Sequence, residues 1–318
     1  MDKVFVKDLE IGQSVLSYFA VRKKELREHE GKPYLVMELG DRSGRIESVL
    51  WNEAQTASKM FDRGQVVKVK GLVGQYRERP QITIEKIRQG RPEEFERAWF
   101  LAASERDREE LLEILHDTRD RIANPHLQQV LKGFFGDEEF LRRFLETPGA
   151  KLWHHPYLGG LLEHTISVLK LCQAAAALYP LADQDMLFTA ALIHDVGKTV
   201  EFEWGTYIDY SDTGRLLGHI VLGDRMVTEK TSRIEGFPEE LAMRLRHTIL
   251  AHHGSLEQGS PVLPQTLEAL ILYQADQMDA QSSAFSRIIQ DEKSKGKRWS
   301  DWVNLAERFL YLGLEGKE

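Results

Sequence analysis

Among 318 residues there is one cysteine, Cys172. An internal disulfide is therefore excluded, and a reducing compartment fits. No run approaches the roughly 18–20 apolar residues needed to span a bilayer, and the opening stretch MDKVFVKDLE has no apolar leader. No membrane partner is expected, and the cytoplasm is the expected location. Repeats, low-complexity tracts and long flexible linkers are also missing. Positive charge is in short supply, with 42 Lys and Arg against 50 Asp and Glu, a net charge of −8. That balance by itself argues against a nucleic-acid binder.

The distribution argues the other way. Residues 1–90 carry 17 Lys and Arg against 13 Asp and Glu, a surplus of four. The remaining 25 basic residues face 37 acidic ones, a deficit of twelve. A basic N-terminal module on an acidic chain is expected where that module meets a polyanion. The length suggests two domains, each with its own core.

Residues 14–88 read as strands. RIESVLW (45–51), VVKVKGLVGQY (66–76) and QITIEKI (81–87) alternate in period two and are rich in Val and Ile. GDRSGR (40–45) reads as a hairpin turn, and NEAQTASKMF (52–61) as a short helix between the third and fourth strands. Five strands with a helix after the third is the order of an OB barrel. From 92 to 146 the period becomes helical, punctuated by Pro125, Gly136–Asp137 and Thr147–Gly149. From 159 the chain reads as almost wholly helical, interrupted by a short hairpin in VEFEWGTYIDYSD (200–212). The expected organisation is a multidomain α and β chain. It has an OB barrel at 1–90, a helical connector at 91–150 packed onto the downstream helices, and an all-α domain with a C-terminal helix at 151–318.

The helical half carries polar groups where apolar ones would suffice. His164 shares a helix face with Val168, His194 with Ala190 and Leu187, and His219 with Leu222 and Met226. His252 lines up with Ile249 and Leu245, and Asp276 with Leu272. Each is inward-facing, which costs free energy unless a partner compensates. One such histidine is ordinarily a satisfied core residue; five helices each delivering an imidazole or carboxylate inward point to a shared metal centre. Neutral imidazoles and carboxylates suit Mn²⁺, Fe²⁺ or Zn²⁺, and the lack of cysteine in the set removes soft-ligand centres. The adjacent pair His194–Asp195 then makes sense if Asp195 bridges two ions while His194 binds one. On a helix the two side chains point about 100° apart, and a helix ending at Gly197 leaves room to open that angle.

The order H…HD…H…HH…D, in HHPYLGGLLEHTISV, LIHDVGK, GRLLGHI, ILAHHG and ADQMDA, resembles the HD-domain metal-dependent phosphohydrolases. With an OB module in front, the whole arrangement is similar to the YhaM family of bacterial 3′→5′ exoribonucleases. The resemblance implies a hydrolase with two divalent ions, Mn²⁺ being expected and Fe²⁺, Co²⁺ or Zn²⁺ the alternatives. One ion would sit on His164, His194, Asp195 and Asp276. The second would sit on Asp195, His219 and His252, with His253 close by and the choice between the last two open. A hydroxide between the ions would be the nucleophile. Catalysis would fall to Asp195 and to Lys198, the cation nearest the developing phosphate charge; the alternative is a solvated helix-end lysine.

His154 and His155 either reach the substrate phosphate or line a loop. Glu163 is open as an outer or third-ion residue, and Asp279 as a sharer of the site. His29, His126 and His247 are assigned to the surface. The barrel offers Phe19, Tyr34, Trp51 and Tyr76 as aromatics, with Arg22, Lys23, Lys24, Arg45, Lys68, Lys70, Arg77 and Arg79. Bases stack on such aromatics while cations track the backbone. Lys68 and Lys70 alternate with core valines and so can face a ligand; with Tyr76 and Arg77 they are the expected strand-binding set. Trp51 and Tyr34 are expected in the barrel core. The implied substrate is single-stranded RNA, with DNA as a second, cut to nucleoside 5′-monophosphates. The rivals are a phosphohydrolase of small or cyclic nucleotides and a DNA- or RNA-binding protein with a vestigial site. The oligomeric state, a homo-oligomer included, is left open.

Overall fold

The computed structural model describes residues 3–293 and 296–313. The chain forms two compact units, one of Met1–Ala103 with Trp204–Ile208, the other of Ser104–Glu203 with Asp209–Glu318. The stretch expected as a connector is thus divided, 91–103 falling in the first unit and 104–150 in the second.

In the first unit, β1 (Ser14–His29), β2 (Lys32–Asp41), β3 (Gly44–Leu50), β4 (Val66–Tyr76) and β5 (Arg79–Gln89) close a barrel in the order β1-β2-β3-β5-β4. All neighbours are antiparallel except β3 and β5, whose parallel pairing at Glu47–Gln81 completes the ring. The period-two pattern sends Val15, Phe19 and Val21 inward from β1, and Val67, Val69 and Val73 from β4. The helix α1 (Ala54–Met60) adds Ala54 and Ala57 to the same core, with Phe61 just beyond it. Burying a side chain of this kind contributes about 1.5–3 kcal/mol, so the alternation fixes which face turns in. Bulges after Val21 and Lys70 curve the strands. This is the OB fold that the strand order predicts.

The second unit is helical: α2 (Arg108–Arg121), α3 (Pro125–Phe135), α4 (Glu138–Glu146), α5 (Gly160–Leu178), α6 (Gln184–Ile193), α7 (Lys198–Glu201), α8 (Asp212–Ser232), α9 (Glu239–Leu250) and α10 (Leu267–Lys293). Asp107, Asn124, Asp137, Asp183 and Ser211 cap α2, α3, α4, α6 and α8 by accepting first-turn N–H groups. A short ladder, β6 (Phe202–Trp204) with β7 (Ile208–Tyr210), interrupts the chain at the expected hairpin. Among the described residues, one helix, α5, has the length and hydropathy of a bilayer span. Leu161, Ile166, Val168 and Leu169 on it are instead core residues, packed with α3 and α6 side chains. The last described helix stops at Lys293, and 296–313 holds only the isolated bridges Trp299–Tyr311 and Val303–Arg308.

Candidate metal centre and active site

Five helices bring their polar groups together as the spacing predicts. His164 comes from α5, Asp276 from α10, and His219 from α8; His252 and His253 lie in the turn after α9. Helix α6 ends at Ile193, earlier than expected, with His194 as its C-cap. His194 and Asp195 therefore lie in the turn between α6 and α7, with His194 still in right-handed helical backbone (φ −56°, ψ −36°).

The imidazoles share one device. The Nδ1–H of His194 donates to Ala191 O at 2.9 Å, that of His252 to Ile249 O at 2.6 Å, and that of His253 to Gln258 O at 2.9 Å. Carbonyl oxygens only accept, so each bond fixes the tautomer and leaves an Nε2 lone pair. For His164 the Nδ1 partner is Asp279 at 2.7 Å, and for His219 it is Glu201 at 3.0 Å. All five Nε2 atoms point the other way, into the centre. There His164 Nε2 lies 3.3 Å from His194 Nε2, and His219 Nε2 lies 3.2 Å from His253 Nε2.

Asp195 sits between the two groups. Its Oδ2 is 3.4 Å from the Nε2 of both His164 and His194, and its Oδ1 is 3.5 Å from those of both His219 and His252. Asp276 Oδ1 joins the first group, 3.0 Å from His164 Nε2. Asp195 Oδ1 and His252 Nε2 are buried with no hydrogen-bond partner, which costs about 1–3 kcal/mol each if left so. Donors on one ion, with bonds of about 2.0–2.2 Å, stand about 3–3.6 Å apart, which is the spacing found. Oxygen and imidazole nitrogen donors, orphaned and converging, fit divalent ions. Both His252 and His253 converge with His219 on this side.

The electrostatics agree. Burial alone would raise the Asp195 pKa, but Lys198 and the surrounding imidazoles outweigh it and hold the carboxyl well below its ordinary range. Asp276 is likewise held down against burial, by His164, His194 and His252. Burial works against a charge on His164, yet Asp195, Asp276 and Asp279 lift its pKa well above the usual value. The pocket therefore draws in positive charge, as a proton or as an ion. Burial, with His252 and His219 nearby, pushes His253 down to about 3. His219 and His253 are partly exposed while His164, His194 and His252 are fully buried, so the centre opens to solvent on the His219 side.

Lys198 starts α7 and is buried, its Nζ 2.5 Å from Asp195 Oδ2. Burial opposes its charge and Asp195 more than restores it, so its pKa is raised; the solvated helix-end alternative does not hold. His154 keeps both ring nitrogens buried and without a partner, with its ring 4.9 Å from that of His164. His155 is not placed to meet a substrate. It is buried, its Nε2 on Asp279 at 2.9 Å and its Nδ1 on the Tyr157 hydroxyl at 2.8 Å. Tyr157 donates in turn to Glu163, as does Ser104, so Glu163 anchors an outer network. A third ion at His155, His164 and Asp279 would have to break these bonds.

Glu201 was not legible in the sequence. Its Oε1 takes both the backbone N–H and the ring Nδ1 of His219, each at 3.0 Å. That grip needs the break in α8 at Gly218 (φ 71°, ψ 155°), a conformation open in practice only to glycine. A side chain at Gly197 would collide with the His219 carbonyl, so the close approach of α7 to α8 also depends on glycine.

The barrel corrects several expectations. Phe19 is wholly core, and Arg22 is buried, donating to Phe100 O. Lys24 is tied to the carbonyls of Ser58 and Phe61. Lys68 lies over the Tyr18 ring at 5.0 Å, and Lys70 pairs with Glu85 at 3.2 Å. Neither lines the barrel's large groove. Trp51 and Tyr34, expected in the core, do line it, with Tyr76 and Arg77.

The HD domain family matches residues 161–281, and an OB-fold nucleic acid binding domain family matches 20–89. The 3′-5′ exoribonuclease YhaM of Bacillus velezensis is 33% identical over 288 residues, 89% of this chain and 90% of that protein. That of Bacillus subtilis strain 168 is 33% identical with the same coverage. That of Listeria welshimeri is 30% identical over 292 residues, 90% of this chain and 91% of that protein. With likeness running through both units, the chain belongs to the YhaM family of 3′-5′ exoribonucleases and is a phosphodiester-hydrolysing enzyme, an OB fold followed by an HD domain.

Proposed function

We propose that this chain removes nucleotides from the 3′ end of single-stranded RNA as nucleoside 5′-monophosphates, takes single-stranded DNA as well, and works with two divalent ions, Mn²⁺ first among Fe²⁺, Co²⁺ and Zn²⁺. The supporting observation is the Asp195 carboxylate with one oxygen toward each histidine group. His164, His194, Asp195 and Asp276 would hold one ion, and Asp195, His219, His252 and His253 the other. Such ions, when bound, make water acidic enough to supply a nucleophile and clamp the attacking and leaving oxygens of an in-line displacement.

The rest falls to the chain's own side chains. Lys198 brings a buried positive charge beside Asp195, where phosphate charge develops, and a cation fixed there needs no reorganisation during reaction. His154, kept neutral by burial and by Lys198, has two free ring nitrogens for a phosphate oxygen or for water. Asp279 and Glu201 hold His164 and His219 in the orientation that binding requires. The barrel retains the strand.

Labelled RNA tests the reading. With Mn²⁺, a 3′-labelled single strand should release its label at once as a mononucleotide, and a 5′-labelled one should shorten progressively; a chelator should stop both. Shortening from the 5′ end, or hydrolysis of mononucleotides with the oligomer intact, would overturn it.

A further inference from the structure

The stretch 296–313, after α10, carries apolar groups on two sides. Ser300 N–H donates to Leu310 O at 2.9 Å, Leu312 N–H to Arg298 O at 3.0 Å and Val303 N–H to Arg308 O at 3.0 Å. Two lengths of chain are thereby bridged at Trp299–Tyr311 and Val303–Arg308. Residues then alternate as on a strand. Ser300, Leu310 and Leu312 are buried, whereas Trp299, Phe309 and Tyr311, with Trp302, face solvent. The outer rings pair edge to face, Trp299 with Tyr311 and Trp302 with Phe309, each at 5.1 Å between centroids. All four remain about half exposed, from 48% to 55%. The inner side of the bridged segment is held by its own chain; the outer side presents a knob of four rings.

The same unit has a matching hollow. An open slot of about 440 Å³ runs between α5 and the first half of α10, lined by Leu171 and Ala175 from the one and by Leu270, Ile271, Ala275 and Met278 from the other. No charged residue lines it among the described residues, and Leu270 and Met278 at its rim are about half exposed. A strand of nucleic acid needs cations along its path, and this slot offers none. It takes apolar side chains. The knob does not fill the slot of its own chain: no residue of 296–313 lines it, and α10 runs about 22 Å beyond Met278 before it ends at Lys293.

Four half-exposed rings leave on the order of 400 Å² of ring surface open, at about 150–250 Å² per aromatic side chain. Apolar patches of that size on a soluble protein mark interaction sites. We propose that the partner is a second copy of this chain, and that the rings of Trp299, Trp302, Phe309 and Tyr311 of each copy seat in the α5–α10 slot of the other. A two-fold exchange makes the contact twice, so each copy covers both its knob and its slot, about 800 Å² in all, which is what a stable interface takes from each partner. The exchange also closes on itself, as the common two-fold dimers do, and leaves neither apolar surface open to further copies. It does not depend on which strand the enzyme cuts.

Light scattering on the full chain after gel filtration tests this. Wild type should show twice the 36.6 kDa mass of one chain. Trp302→Ala with Phe309→Ala, which removes the knob, should fall to the single-chain mass, and so should Leu270→Glu with Met278→Glu, which charges the slot. Both should keep the wild-type circular dichroism spectrum, since all four side chains face solvent. Should the charged slot misfold, Leu270→Ser with Met278→Ser carries the same test. Mixing the knob variant with the slot variant should recover dimers in part, because one intact knob then meets one intact slot. A wild type of single-chain mass overturns the proposal, as does a dimer that survives both variants. Absence of recovery on mixing also overturns it, since each surface would then pair with its own kind. So does a wild-type monomer whose affinity for single-stranded RNA falls in the knob variant, which would give the rings to the strand.

Discussion

His164, His194 and His252 lie wholly out of solvent, whereas Trp51 and Tyr76 on the barrel stand about half exposed. The two regions invert the usual placement, with polar rings inside and apolar rings outside. A buried imidazole or carboxylate needs a permanent compensating partner, and the Nδ1 bonds of the five histidines, with Asp279 and Glu201, supply half of that compensation. The other half, the five converging Nε2 atoms with Asp195 between the two groups, is where divalent ions would be held. An exposed ring needs nothing while it waits, so the groove suits a ligand that comes and leaves. On the proposed reading, inverted burial would separate a cofactor site from a substrate-handling site by the lifetime of the partner each requires.

The sharpest way to break this contrast is Asp195→Ala. Among the described residues Asp195 is the carboxylate that faces both histidine groups, so its loss should empty the centre and bring turnover to background while strand binding in chelator persists. Metal analysis and turnover on the variant decide it, and full activity with ions bound would sink the two-ion reading. Lys198→Ala should come next. We expect kcat to fall roughly 10²-fold, about 2.7 kcal/mol, with metal content unchanged. A change confined to KM would make Lys198 a substrate-positioning residue instead.

The supports of the histidines sharpen the picture further. Asp279→Ala should weaken the ion at the His164 group, and Glu201→Ala the ion at the His219 group, each by about 10–100-fold. Asn and Gln, which keep an acceptor oxygen, should recover part. Calorimetric metal titration resolves the two steps; equal weakening of both by either variant would contradict the assignment.

The smallest effect concerns acid. Burial holds His253 at about 3 in the folded chain, against roughly 6.5 when unfolded. Because the folded pKa is lowered, the unfolded chain takes the proton first. The metal-free fold keeps this contribution above about pH 6.5 and loses it progressively as pH falls toward 3. In chelator, His253→Gln should therefore lose less melting temperature than wild type between about pH 7 and 4. Parallel curves would show that His253 is not the group responsible.

Where periodicity operates, the sequence is legible. Alternating valines in 66–73 determine that Val67, Val69 and Val73 fill the barrel, since a one-residue slip would expose all three. The order of polar residues on apolar helix faces determines which histidines and aspartates turn inward, because a helix has one buried face. The lone cysteine, the charge asymmetry and the motif order are likewise readable without coordinates. Only the tertiary structure decides what those residues meet. Glu201 reaches His219 through a break at Gly218 that no period announces, and Asp279 meets His164 and His155 because α5 and α10 pack there. Trp51 looks like core by composition, but the strand ends at Leu50 and leaves the ring outside on Tyr34. His155 spends both nitrogens in an outer network while its neighbour His154 keeps both free. Local pattern sets which way a side chain faces; the partner across the gap belongs to another element, brought near by long-range packing that short-range spacing does not encode.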